Sequence, residues 1–560
     1  MPSENPCNFW IFREGRRTVR AEPVRAGLTS ALENLAQPSR DALVDALLRA
    51  GELEAALADS GSDQSHAVAN ITNAVAAGLI GAWDGNSSLA ALAEIAGRIP
   101  IPASLSISIA EGFAYYSLHP LQFADLAAQA PISSARVAVI GIRSIGATLS
   151  AVVAAALARR NIRAERITVR PTGHPYDRKT AFTSEQLRWI AAHRSHHAAF
   201  LVVDEGPGLS GSSFLSVGEA LLEAGVERRM VRFLCSRQAD PEQLVSPDAS
   251  QRWRGFQVHA TSGSPYRPSE AAIDIGGGGW RGEFFRNEEE WPASWSAMER
   301  SKFLSPDRER FFKFAGLGKY GEDFAARARL LAEDGFGPQF LGLRDGYAEF
   351  TLVPGRPARG EDLSPSMIER IADYCATRAS AFRVSESEAS PLNQMMRFNF
   401  EQVFGEPAPE WFSLATDRPV LCDARMQPHE WIIDSSGKLT KTDGESHGDD
   451  HFLPGPTDIA WDLAGAIIEW KMDEDEAESL LGRFRTRSGA ELPSMRSFLL
   501  GYALFRHAYC TMAAHALRGT NEHLRLLHAA DLYRAAAENT LCHASKEIAI
   551  FGSNVSAADD

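Results

Sequence analysis

Phe200 to Phe214 reads FLVVDEGPGLSGSSF, an apolar run leading straight into Asp204 and Glu205 and then into a glycine- and serine-rich loop. Carboxylates at the end of a buried strand can hold ribose hydroxyls, directly or through a metal. Small residues let backbone N–H groups close on a phosphate at a helix start. Ser210, Gly211, Ser212 and Ser213 end this loop, and the helical segment LSVGEALLEAG follows. Two upstream loops carry related chemistry. GIRSIGA supplies Arg143, a bidentate donor for an anion, beside Ser144. RPTGHPYDR supplies Arg170 and Arg178, with His174 and Tyr176 read as turn residues between them.

A second group of polar residues lies downstream. Lys313 sits on the strand-like FFKF, CDARMQPHEWIID carries Asp423 and Glu430, and Asp443 follows the turn SSGK. Lys313 is followed by GLGKYG, a lone GxGxxG match of little weight, and by Glu322, a candidate partner for the lysine. His429, His447 and His451 have no standard zinc spacing and read as exposed loop histidines.

The elements that must position these groups follow from apolar periodicity. Residues 1–99 are alanine- and leucine-rich with helical spacing. Residues 100–262 alternate strand and helix: ARVAVIGI, ATLSAVVAAALARR, RAERITVR, SEQLRWIAAHRSH, AAFLVVDE, LSVGEALLEAG, RRMVRFLCS. This rhythm predicts an α/β fold with a doubly wound, mostly parallel sheet. Residues 263–310 read as a linker. Residues 311–550 read as an α+β unit with a largely helical C-terminal lobe, ending in a helical hairpin.

The three loops over roughly residues 100–240 together resemble the type I phosphoribosyltransferases. The resemblance implies that Asp204 and Glu205 hold ribose hydroxyls. It implies that Arg143, Arg170 and Arg178, with Ser144 and the Ser210–Ser213 loop, hold phosphates. Mg²⁺ would help 5-phosphoribosyl 1-pyrophosphate lose its leaving group through an oxocarbenium-like state. Glu205 stands where aspartate is commoner, and the loop is one or two residues longer than usual.

Residues 312–465 resemble the aminoglycoside-phosphotransferase branch of the protein-kinase-like fold, with FTLVPGRP as hinge and DIAWDLA placing Asp462. That likeness implies Lys313 on nucleotide phosphates, Asp423 as base, and Glu430 and Asp443 on Mg²⁺, with ATP as donor. Aligning Pro428–Glu430 on the family's Pro-x-Asn puts Glu430 at the asparagine and Arg425 at the catalytic aspartate. Asp423 lies two residues earlier.

Composition bounds these readings. A chain of 560 residues with net charge -15 argues against broad nucleic-acid binding, and no apolar run is long enough to span a bilayer. Six scattered cysteines without a CxxC pair suggest reduced thiols in a cytoplasmic protein. The expected function is Mg²⁺-dependent transfer at C1 of a phosphorylated ribose, coupled to a nucleotide-binding kinase-like unit. The alternatives are a non-catalytic sensor of ribose phosphate or nucleotide, and a small-molecule kinase with an accessory substrate domain. Oligomeric state is left open.

Overall fold

The computed structural model describes residues 8–13, 15–82, 88–174, 176–208, 210–261, 266–385, 391–445, 452 and 454–555. His447 and His451 lie outside the described residues.

In the first half, β1 (Arg16–Arg20) pairs antiparallel with β2 (Ser104–Ser108). Between them run α1 (Ala21–Glu33), α2 (Arg40–Asp59), α3 (Ser65–Leu79) and α4 (Leu92–Arg98). The Ser39 hydroxyl caps α2 by accepting from the Ala42 N–H. After α5 (Glu111–Ala114) and α6 (Pro120–Gln129) come β3 (Arg136–Ile142), α7 (Ile145–Arg159) and β4 (Arg163–Val169). The short hairpin β5 (Thr172–His174) and β6 (Asp177–Lys179) leads to α8 (Ser184–Ser195), β7 (Ala199–Val203) and α9 (Ser212–Glu223). Then β8 (Val231–Cys235), α10 (Ala249–Arg254) and β9 (Gln257–Ala260) complete a five-stranded parallel sheet of order β4-β3-β7-β8-β9. Its central strands are valine-, isoleucine- and leucine-rich because both faces are covered.

One face buries Ile140, Val202, Phe214, Phe233 and Trp253 beneath α8, α9 and α10. The other face packs on α7, and α7 packs on α2 and α3. Leu47, Leu48, Leu149 and Val152 share one core with Val139 and Leu201. α2 and α3, from the region expected as separate and helical, therefore add a layer over α7 on this face of the sheet.

The second half begins earlier than expected. The segment 263–310, read as a linker, supplies β10 (Ile273–Asp274), α11 (Trp280–Phe284) and β11 (Lys302–Leu304). With β12 (Arg310–Phe314), α12 (Lys319–Glu333), β13 (Phe340–Arg344) and β14 (Tyr347–Thr351) it builds an antiparallel sheet of order β10-β11-β12-β14-β13. α12 packs on this sheet through Phe324 and Ala328 against Phe350. A helical lobe follows: β15 (Arg356–Pro357), α13 (Pro365–Ala381), α14 (Leu392–Phe404), β16 (Trp431–Ile433), β17 (Leu439–Lys441), α15 (Ala460–Glu469), α16 (Glu474–Ser488), α17 (Met495–Ala516) and α18 (Asn521–Val555). α17 and α18 form the expected hairpin.

The halves are joined by specific bonds. The Leu317 N–H donates to the Phe113 carbonyl at 2.9 Å, and Lys319 Nζ donates to the Glu52 carboxylate at 2.5 and 2.6 Å. Trp10 and Asn399 exchange two hydrogen bonds of 2.8 Å, so the start of the described chain lies on the helical lobe.

Candidate functional site

β11 and β12 pair in a register that sets Lys302 directly opposite Lys313, so both side chains leave the same face of the sheet. That face looks onto the loop after β17. There Asp443, at φ +63°, turns its carboxylate back toward the sheet. Lys302 Nζ donates to Asp443 Oδ2 at 3.0 Å, and Lys313 Nζ donates to Asp443 Oδ1. Glu445 lies 3.7 Å from Lys313. Burial works against the charge on Lys302, but Asp443, Glu299 and Glu430 more than reverse this and hold its pKa above the ordinary lysine value. For Lys313 burial wins and lowers the pKa, against the pull of Asp443 and Glu445.

With Lys313 buried behind them, Lys302 and Asp443 line a cleft with an empty volume of about 820 Å³, open mouth included. Its walls are apolar: Ile275 and Phe311 from the sheet, Leu352 and Val353 from the segment joining sheet to lobe, and Ile432 from β16. An apolar cleft with a few charged groups in its lining suits a planar base carrying phosphates.

Sequence reasoning missed Lys302, Trp280 and Gly276–Gly279, all within the supposed linker. The glycines connect β10 to α11, where the Gly278 N–H donates to Glu299 Oε2 at 2.9 Å. Four consecutive glycines were the signal available. GLGKYG instead forms the tight entry to α12: Gly316 has φ +113°, and a Cβ there would stand 2.6 Å from the Tyr320 Cβ. Glu322 is not the partner of Lys313; it faces Arg49 at 3.5 Å.

Asp423, the expected base, is fully buried behind the cleft. It accepts from the Tyr374 hydroxyl and faces Lys441 Nζ at 3.1 Å. The Asp462 carboxylate, at the start of α15, receives the Asp423 and Ala424 N–H groups at 2.8 Å each. Arg378, also fully buried, lies 3.7 Å from Asp462. This network locks the loop. It holds Asp423 in the core. Arg425 faces Glu430 at 4.0 Å, and Lys441 faces Glu430 at 3.6 Å. His429 is not an exposed loop histidine: it is half-buried and stacks on Trp280 with centroids 5.8 Å apart and planes at 18°. Burial first, then nearby arginines and Lys441 acting against Glu430, push it down to about 4.

Glu430 and Asp443 both line the cleft, as expected of metal ligands. Each is already closed by protein cations: Asp443 by Lys302 and Lys313, Glu430 by Lys441 and Arg425. No group of three or more metal-ligating side chains occurs among the described residues. The residues present do not fit a pair of Mg²⁺ ions.

The other loops converge at the carboxyl ends of β3 and β7, where the order of the parallel sheet reverses and ligands bind in such folds. Ser144 opens α7 at φ +99°, an uncommon conformation for a residue with a Cβ. Gly211, at φ +66°, opens α9, and Ser210 and Ser212 hydroxyls lie 2.9 Å apart. Ser213 is the next residue of α9. Asp204 and Glu205 are half-buried here. Burial pushes Asp204 up to about 7; burial, then Glu111 and Asp204, push Glu205 up to about 8. Glu205 Oε2 accepts from the Gly112 N–H at 2.9 Å.

The expected phosphate arginines are placed otherwise. Arg143 donates to Asp59 Oδ1 at 2.9 Å and Arg170 to Asp59 Oδ2 at 2.6 Å, so a carboxylate at the end of α2 closes both. Arg178 lies on the β5–β6 hairpin and donates to the Gly173 carbonyl at 2.9 Å.

No protein-family model matches the chain, and no curated protein matches it. Solved structures similar to it are small-molecule kinases and phosphotransferases. A choline/ethanolamine kinase family protein from Mesorhizobium loti is 15% identical over 42% of this chain and 89% of its own, at TM-score 0.30. The choline kinase LicA from Streptococcus pneumoniae gives the same identity, coverage and score. An aminoglycoside phosphotransferase from Alicyclobacillus acidocaldarius is 11% identical over 51% of this chain and 98% of its own, at TM-score 0.33. Likenesses at these scores assign no activity to this chain. No helix among the described residues is long and apolar enough to cross a membrane.

Proposed function

We propose that this chain is a nucleotide-binding protein built on a small-molecule-kinase-like half, and that it holds its nucleotide without transferring a phosphoryl group through a carboxylate base. The observation that carries it is the pairing of Lys302 and Lys313 with Asp443 at the charged end of the apolar cleft. The base would slide between Ile275 and Ile432 with its edge toward the Leu352–Val353 backbone, and its phosphates would meet Lys302. A base must reach the acceptor hydroxyl. Asp423 is buried against Tyr374 and Lys441, and the register read from Pro428–Glu430 would give the base position to Arg425, whose charge has the wrong sign for the task. Calorimetric titration with ATP and ADP, run beside an assay for ADP release with amino-alcohol acceptors, tests this. Binding without turnover supports it. Turnover abolished by Asp423→Asn, in a variant of unchanged fold, overturns the non-catalytic part.

A second reading concerns the parallel sheet: a phosphorylated ribose held at the β3–β7 reversal, with Asp204 and Glu205 on its hydroxyls. What favours it is that Ser144 and Asp204 follow the ends of paired parallel strands, with Gly211 opening the helix after Asp204. With Arg143 and Arg170 closed by Asp59, transfer with pyrophosphate as leaving group has less to support it than binding. Titration with ribose 5-phosphate, and its loss in Gly211→Val, tests it.

A further inference from the structure

We propose that the cleft holds the phosphates of its nucleotide with the ammonium group of Lys302, standing where a kinase-like site would place a divalent cation, while Lys313 holds Asp443 from behind. This rests on the nucleotide reading above and goes beyond it, because it states what neutralises the phosphates.

Three observations carry it. First, Lys302 is a cross-strand neighbour of Lys313 on the same face, and its Nζ reaches Asp443 at 3.0 Å while lining the cleft. An ammonium carries three donors, and Asp443 takes one from Lys302; the rest can turn to a phosphate oxygen. Second, a metal at Asp443 would have to strip both ammonium groups from it. Lys313 is 1% and Lys302 14% exposed, and an ammonium left without a partner at such depth is costly. Third, Glu430 is held by Lys441, 1% exposed, and by Arg425, so the second carboxylate is closed in the same way. A loop that recruits divalent cations keeps negative charge to spare. Here each of these carboxylates has its counter-charge built into the chain. Trp280 supports the placement: the Lys302 ammonium lies 5.9 Å from its ring centroid, and Glu299, which accepts from the Trp280 indole N–H at 3.1 Å, adds a further pull on that lysine.

The test is calorimetric titration of the full-length protein with ADP, in excess EDTA and in excess magnesium chloride. Affinity in EDTA within about threefold of that in magnesium is expected. Lys302→Met should lose about tenfold or more in EDTA. Lys302→Arg, which keeps the cation, should retain binding in EDTA and guards against misreading a folding defect, as does a thermal melt of each variant. Wild-type binding that vanishes in EDTA and returns with magnesium overturns the proposal while leaving the nucleotide reading intact. So does Lys302→Met binding like wild type in EDTA. Absence of binding in both media overturns the nucleotide reading and this proposal with it.

Discussion

Lys302 lies directly opposite Lys313 across the β11–β12 pair, and both ammonium groups close on the single carboxylate of Asp443. That triangle ties the antiparallel sheet to the loop after β17, so it is a hinge pin of this half as well as the charged end of the cleft. Asp443→Asn removes the carboxylate charge that the two ammonium groups share. It is expected to cost about 3–5 kcal/mol, measured as a lowered urea midpoint at unchanged slope.

Asp423 is expected to behave as a structural group. Asp423→Asn breaks the contact with Lys441 and weakens that with Tyr374, and should lower the melting temperature clearly. ADP affinity of the folded variant should stay within about threefold of wild type. A variant that melts normally but no longer binds would place Asp423 in the cleft instead.

The acidic pair at the end of β7 sets a pH dependence. Asp204 and Glu205 have folded pKa values raised to about 7 and about 8. The folded state therefore binds more protons than the unfolded chain across that range. Their contribution to stability is fully present below the ordinary carboxylate pKa and is lost as pH rises through these folded values. Melting temperature should fall between about pH 5 and pH 8, and Glu205→Gln should flatten that slope. A flat wild-type profile would contradict the burial of this pair.

Asp59 holds Arg143 and Arg170 in place of an anion. Asp59→Asn should lower the melting temperature, because two half-buried guanidinium groups lose their counter-charge. Added sulfate should restore stability to the variant more than to wild type. Equal sulfate effects on both proteins would show that the arginines are screened by solvent.

The strongly periodic parts of the chain were legible. The apolar runs of β3 and β7 must be buried on both faces, and that places Asp204 at a strand end beside the Ser144 loop. The antiparallel sheet was not legible at its start, because β10 and β11 are 2 and 3 residues long and too short to show a period. Lys302 and the four glycines were lost with them. Partners from distant segments were equally unreadable: Asp59 stands 84 residues before Arg143, and Tyr374 stands 49 residues before Asp423. Those contacts decide that two expected phosphate ligands and the expected base are tied up within the fold.

The most direct test of the central claim is calorimetric titration of ADP into wild type and into Val353→Trp. That indole fills the apolar slot and leaves Lys302, Lys313 and Asp443 untouched. Saturable one-to-one binding by wild type and a loss of about tenfold or more in the variant, at matched melting temperature, is the expected result. Equal affinity of the two proteins, or no binding by wild type, would contradict a nucleotide in this cleft.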